Sequence, residues 1–263
     1  MNILSKIVSK RKEETNLQKK IRGLDEIKSS ESFHRQTYSL SKKIKESEIS
    51  IIAEHKRKSP SKKEINFQTP SHKIIKGYEK NGASGISVLT EKNFFSGSEN
   101  DLILARKLTD LPILRKDFIV DEYQVFESKY LGADAILLIA TCLTDKEIIK
   151  FSELAKELNL DVLVEIHSKD ELKKVCIDSV DIIGVNNRNL KDFSINVENS
   201  IEIGKEIPES FVKISESGLY KFEELKRLID FGYDGFLIGE LFMREIDPGY
   251  KLGNLINQIK GES

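Results

Sequence analysis

The sequence predicts an α/β fold, a (β/α)8 TIM barrel with an N-terminal helical extension, on three observations. From Glu48 onward, short apolar runs alternate with helix-like stretches, and eight such runs can be counted. Strands that alternate with helices pair in parallel, because each crossover helix returns the chain to the same edge. The runs are almost continuously apolar, so both faces of the sheet are covered. Finally, no glycine-rich dinucleotide fingerprint or Walker-type phosphate loop is present, which weakens the open, doubly wound alternative.

Taken in order, residues 1–47 form the extension and residues 48–263 the barrel. The leader is rich in Lys and Glu, and Ile21, Leu24 and Ile27 are spaced for one helix face. One or two amphipathic helices are expected there, with Ser9–Lys20 polar enough to read as disordered. The expected strands are Ile49–Ala53, Gly85–Leu89, Ile113–Arg115, Ala135–Ile139, Val162–Glu165, Ile182–Val185, Val212–Ser215 and Gly235–Ile238. Helical segments are expected at Pro70–Asn81, Tyr123–Leu131, Asp145–Leu158, Lys169–Val175, Val197–Ile207 and Tyr220–Phe231. Ile246–Ser263 reads as a final helix with a polar tail.

Composition narrows the function classes. The 42 basic and 43 acidic residues nearly cancel, which gives no electrostatic case for nucleic acid or a membrane surface as partner. Cys142 and Cys176 form no metal-ligand or CxxC spacing, as expected of a reduced, cytoplasmic compartment. The start carries no secretory signal pattern, and the longest apolar run is far below the ~20 residues of a spanning helix. Oligomeric state is left open.

In a barrel of this class, function collects where strands end. The first run ends in Glu54-His55-Lys56 and leads into Ser59-Pro60. The third goes from Leu111-Pro112 straight into Arg115-Lys116-Asp117. Because strand side chains alternate, Leu114, Lys116 and Phe118 share one side and Ile113 and Arg115 the other. Lys116 thus faces inward beside Phe118. An ammonium in a partly dry cleft gives up its proton more readily than one in water, as suits a general acid. The fifth run ends in Glu165, the sixth in Asn186, the seventh in Glu216-Ser217-Gly218 and the eighth in Gly239-Glu240. Solvated helix faces scatter charge, whereas a charged residue at tip after tip marks a site. Glycine turns after strands seven and eight are where such barrels bind phosphate.

These residues resemble the indole-3-glycerol-phosphate synthase family. The likeness rests on Ile52-Ala53-Glu54 with Lys56 and Ser59-Pro60-Ser61, on Gly85–Glu91 with Phe94–Ser98, and on Pro112–Asp121. It continues through Gly132–Ile139, Leu163-Val164-Glu165, Gly184–Leu190, Ser215–Gly218, and Leu237–Glu240 with Met243. The resemblance implies closure of an indole ring from 1-(2-carboxyphenylamino)-1-deoxyribulose 5-phosphate, with release of carbon dioxide and water. It further implies Lys116 as general acid, Glu165 as acid/base in dehydration, and Glu54 with Lys56 as the pair that orients substrate. How proton transfers divide between Glu54 and Lys56 stays open.

By the same resemblance Asn186 binds ribulose hydroxyls, and Glu216 and Ser217 shape the polar wall. Phosphate falls to Lys56 and the backbone of Gly218, Gly239 and Glu240. Phe95, Phe118, Leu137 and Leu190 line the aryl slot, and Ser59-Pro60 lie on the covering loop. Arg188 is a substrate-contact candidate, although it and Asp134 suit turn-bracing salt bridges equally. No cofactor or metal is implied. His55 is expected to face the helix layer as a structural residue, and His167, two past Glu165, is given no role. The sequence departs from the family at Arg57, Lys58 and Lys62-Lys63 of the first loop. A phosphate-binding isomerase barrel using a Cys/Asp pair is the main enzymatic alternative, and neither cysteine falls at a suitable tip. A non-catalytic scaffold would not keep charged tips whose burial is costly.

Overall fold

A closed ring of eight parallel strands, β1 to β8 in chain order, forms the centre of the molecule, with β8 pairing back onto β1. The computed structural model describes residues 3–47, 49–189 and 192–261. Glu48 at the expected domain boundary, Leu190 of the expected aryl slot, and Glu262 and Ser263 lie outside these. The strands are β1 Ser50–His55, β2 Gly85–Leu89, β3 Ile113–Lys116, β4 Ala135–Ile139, β5 Asp161–Ile166, β6 Ile182–Asn186, β7 Val212–Glu216 and β8 Gly235–Ile238. Each expected run is therefore a strand, and five of them extend one or two residues beyond the apolar stretch. Those added residues are the polar tips Glu54, His55, Lys116, Asn186 and Glu216 and the apolar Ile166, with Asp161 added at the start of β5.

Alternation sorts the side chains as expected. Ile52, Leu114, Leu137, Leu163, Ile182 and Ile214 fill the barrel interior. Ile113, Ile136, Val162, Val164, Ile183 and Phe236 face the surrounding helices. The larger crossover helices are α4 Ser71–Lys80, α5 Glu99–Leu108, α6 Tyr123–Leu131, α7 Asp145–Glu157, α9 Glu198–Gly204 and α10 Phe222–Asp230, and α8 is a single turn over Lys169–Leu172. A short α11 follows β8 at Glu240–Met243, and α12 Pro248–Lys260 closes the chain. Local chemistry sets their ends. Thr144 and Glu147 form a reciprocal cap on α7, Asp247 caps α12 with Pro248 in its first turn, and Gly132 ends α6 in the left-handed region.

The leader is helical as expected, including Ser9–Lys20, for which disorder was the alternative. Ile3–Ile21 is one helix, α1, whose buried positions Ile7, Arg11 and Thr15 recur every four residues. It stops before Gly23, so Ile21 and Leu24 do not share a buried face with Ile27; Ile21 is 74% exposed. After α2 Leu24–Ser29 and a 3-10 turn at Glu31–His34, α3 Leu40–Lys45 places Leu40 and Ile44 under the interior core at the opposite end of the barrel. The leader thus packs on both ends of the barrel. Asp134 joins it to the sheet, accepting from Arg35, Arg106, the Tyr38 amide and the Ile113 amide. This is the bracing role open to Asp134 in the sequence.

Candidate active site

One cavity at the C-terminal ends of the strands collects nearly all the predicted residues. Glu54, Lys56, Lys116, Glu165, Asn186 and Glu216 line it, and so do Ser59, Pro60, Phe95, Phe118 and Leu137. Arg188, Ser217, Gly218, Gly239 and Glu240 complete the predicted set, leaving only Leu190 undescribed.

Lys116 sits at the tip of β3 between two carboxylates. Its Nζ lies 3.0 Å from Glu165 Oε2 and also donates to Glu216. Lys56 Nζ, just past β1, lies 2.5 Å from Glu54 Oε1. Three buried carboxylates therefore share two ammonium groups, and the cluster carries an excess of negative charge. Burial pushes the Glu216 carboxyl above its ordinary range, and Glu165 and Glu54 add to that push against the attraction of Lys116. Glu216 Oε1 is buried without a hydrogen-bond partner. For Glu165, burial also acts upward, but Lys116, His167 and an amide hydrogen bond from Asn186 bring it below the ordinary range.

Lys116 itself corrects the reading from sequence. Burial does act to lower it, as expected, but Glu216, Glu165 and Glu54 outweigh burial and hold it well above the ordinary lysine range. The partners sit on β1, β5 and β7, so nothing near Lys116 in sequence announces them.

Two glycines make room for this cluster. A methyl at Gly184 on β6 would come within 2.2 Å of Glu216 Oε1, and one at Gly239 within 2.5 Å of Glu54 Oε1. The turn after β7 also depends on glycine. Ser217 and Gly218 are both left-handed, at φ 66° and 72°, and a Cβ at Gly218 would meet Ile195 at 2.1 Å. This turn does not lead directly into a helix, because α10 starts only at Phe222. The Gly239 turn does, since α11 begins at Glu240.

The apolar wall is built by Phe95 and Phe118, with ring centroids 6.0 Å apart, together with Leu137. Glu91 orders the Phe95 loop by accepting backbone N–H bonds from Asn93, Phe94 and Phe95. Sequence reasoning took from the family resemblance that the N-terminal segment helps cover the mouth, but did not single out Ile3, Leu4 and Ile7 of α1, which line the same cavity. It also missed the anchor, a buried ion pair of 2.7 Å between Arg11 and Asp117. The four-residue spacing of Ile3, Ile7, Arg11 and Thr15 was the available signal. Across the mouth, Lys62 of the first loop reaches Glu240 at 3.0 Å, and Arg188 lies 3.7 Å from the same carboxylate.

Arg57 is tied to Asp101 and Ser71. His55 lies buried on the helix side, where burial pushes it down to about 4. Among the described residues, no group of three or more His, Cys, Asp or Glu side chains is arranged to hold a metal ion, and no helix is long and apolar enough to cross a membrane.

The closed barrel and its charged, half-apolar mouth define a (β/α)8-barrel enzyme equipped for acid–base chemistry on an anionic substrate. Comparison with known proteins specifies which kind. The family model described as indole-3-glycerol phosphate synthase matches residues 4–255. The indole-3-glycerol phosphate synthase of Bacteroides thetaiotaomicron is 42% identical over 98% of this chain and 99% of its own length. That of Campylobacter jejuni is 45% identical over 97% of this chain and 100% of its own. The chain belongs to the indole-3-glycerol phosphate synthase family. A solved 3-hexulose-6-phosphate synthase from Salmonella typhimurium, 13% identical with a TM-score of 0.63 over 80% of this chain and 99% of its own, shares the fold.

Proposed function

We propose that this protein converts 1-(2-carboxyphenylamino)-1-deoxyribulose 5-phosphate to indole-3-glycerol phosphate, carbon dioxide and water, as a carboxy-lyase of tryptophan biosynthesis in the cytoplasm. Residues 1–47 serve the catalytic barrel of residues 48–263 as an extension. The observation that carries the reading is the placement of the Lys116 ammonium, 3.0 Å from Glu165, in one cavity with an aromatic wall and both glycine turns.

In this reading, the phosphate lies at the backbone of Gly218, Gly239 and Glu240 with Lys56 nearby. The aryl ring rests on Phe95, Phe118 and Leu137, with Leu190 completing the slot. The first loop brings Ser59 and Pro60 over the substrate, and Arg188 supports its anionic end. Asn186 and Ser217 hold the hydroxyl groups, and Glu54 orients the substrate together with Lys56.

The ring carbon bearing the carboxylate attacks the ribulose carbonyl carbon. The carbonyl electron pair moves to oxygen, which takes a proton from Lys116. The bond to the carboxylate then breaks, its electrons restore the ring, and carbon dioxide leaves. For dehydration, a proton leaves the methylene carbon beside nitrogen while the new hydroxyl departs as water after protonation. Glu165 takes the acid/base role in this half. The raised proton affinity of Lys116 keeps the acid charged through neutral pH, and its fixed ammonium stabilises the developing oxyanion. Glu216, holding its proton unusually high, can recharge Lys116.

Appearance of indole fluorescence on mixing the protein with the carboxyphenylamino-deoxyribulose phosphate tests the proposal. Turnover with release of one carbon dioxide per indole is expected. No indole, or isomerisation of a phosphoribosyl-aryl amine instead, would overturn it. Against that isomerase, neither Cys142 nor Cys176 lines the cavity.

A further inference from the structure

We infer that His167 is a positioning residue that holds the second oxygen of Glu165 from behind, a role that rests on the ring-closing activity proposed above. Besides the amide hydrogen bond from Asn186, the two Glu165 oxygens face two different titratable partners. Lys116 Nζ takes Oε2 at 3.0 Å, and His167 Nε2 faces Oε1 at 3.5 Å. His167 does not line the substrate cavity, so it acts on Glu165 and not on the substrate.

The far side of the imidazole is fixed independently. Its Nδ1 lies 3.4 Å from Thr141 Oγ1 and 3.8 Å from Glu171 Oε2. Glu171 is itself held by the Thr141 hydroxyl at 2.5 Å and the His167 amide at 2.7 Å. Asn199 donates to the His167 carbonyl at 3.3 Å. Burying an unpaired polar atom costs ~1–3 kcal/mol. Here Nε2 is buried with no hydrogen-bond partner and points at the Glu165 carboxylate. The spacing is long for a hydrogen bond and short enough for electrostatic coupling.

The groups that set the Glu165 charge are Lys116 from β3, Glu216 from β7, Cys142 after β4 and His167 just past the end of its own strand, while Glu171 faces His167 from α8. Of these, Lys116 and His167 favour the ionised carboxylate, and Asn186 assists. Loss of the imidazole therefore raises the proton affinity of Glu165 and frees its Oε1 to rotate.

The test compares wild type, His167→Ala and His167→Gln in kcat across pH, with the carboxyl carbon of Glu165 followed by 13C NMR in the same proteins. His167→Ala is expected to lower kcat about tenfold, an order below loss of a directly acting group, with KM changed less than about twofold. The Glu165 carboxyl titration and the acid limb of kcat should move up by about one pH unit. His167→Gln, which can aim an N–H at Oε1, should recover most of kcat. An unmoved Glu165 titration in His167→Ala, or a lower melting temperature with an unchanged pH profile, overturns the inference. Wild type that forms no indole while the NMR titration still moves would refute the activity and leave the coupling standing.

Discussion

Arg115 and Lys116 are neighbours on β3, yet they face opposite sides of the sheet and sit in networks of opposite character. Arg115 points outward and is fully buried, donating to Thr90, Ser128, the Gln124 carbonyl, Asp117 and Glu127. With Arg11 on Asp117, two guanidinium groups meet two buried carboxylates, and Arg11 also pairs with the half-buried Glu14. Arg11 and Arg115 hold the Asp117 carboxyl below its usual range despite its burial. On the inward side, two ammonium groups face three carboxylates, and burial and the neighbouring carboxylates push the Glu216 carboxyl above its ordinary range. On the outward side, two guanidinium groups serve the two buried carboxylates; on the inward side, two ammonium groups serve three.

This contrast predicts different failures on the two sides. Arg115→Met leaves Asp117 and Glu127 without their central partner. It should cost ~3–5 kcal/mol of stability, seen as a lower denaturation midpoint, because one half of a buried pair has been removed. Glu165→Gln should instead leave the midpoint close to wild type and lower kcat by ~10²–10³. Equal stability losses for the two variants would erase the distinction.

A subtler test concerns the excess charge. A carboxyl whose folded-state pKa is raised binds its proton more tightly in the folded chain, so its contribution to stability is complete below the unfolded value and is lost as pH rises through the folded one. Glu216→Gln removes that alkaline penalty and leaves two ammonium groups facing two carboxylates. It should therefore melt higher than wild type at pH 8, by ~2–4 °C, with the gain shrinking toward pH 5. A variant less stable at pH 8 than at pH 5, relative to wild type, would mean that the cluster holds no surplus carboxylate. At the small end, a chelator should leave indole formation unchanged, because no step of the proposed chemistry uses a Lewis acid or redox change. Stoichiometric metal dependence would count against that chemistry.

The barrel was legible in the sequence because its signals are local. Apolar runs from Gly85–Leu89 to Gly235–Ile238 mark strands by themselves, and a polar or charged residue at the end of most runs, the fourth excepted, marks a tip. The residues that converge on the mouth followed from that rule. What could not be read depends on partners far away in the chain. Ser9–Lys20 is polar enough to look disordered, and becomes helix because Arg11 finds Asp117, 106 positions later. Lys116 looked like an easily titrated lysine, since Phe118 is its visible neighbour and Glu165 and Glu216 are not. Gly184 gave no hint that its missing side chain leaves space for Glu216.

Both sides of β3 meet in one decisive measurement, the rate of indole formation by Lys116→Ala at saturating substrate, read beside its melting temperature. A loss of at least ~10²-fold in kcat with the barrel still folded is the predicted result. Turnover close to wild type would contradict the assignment of Lys116 as the acid that closes the ring.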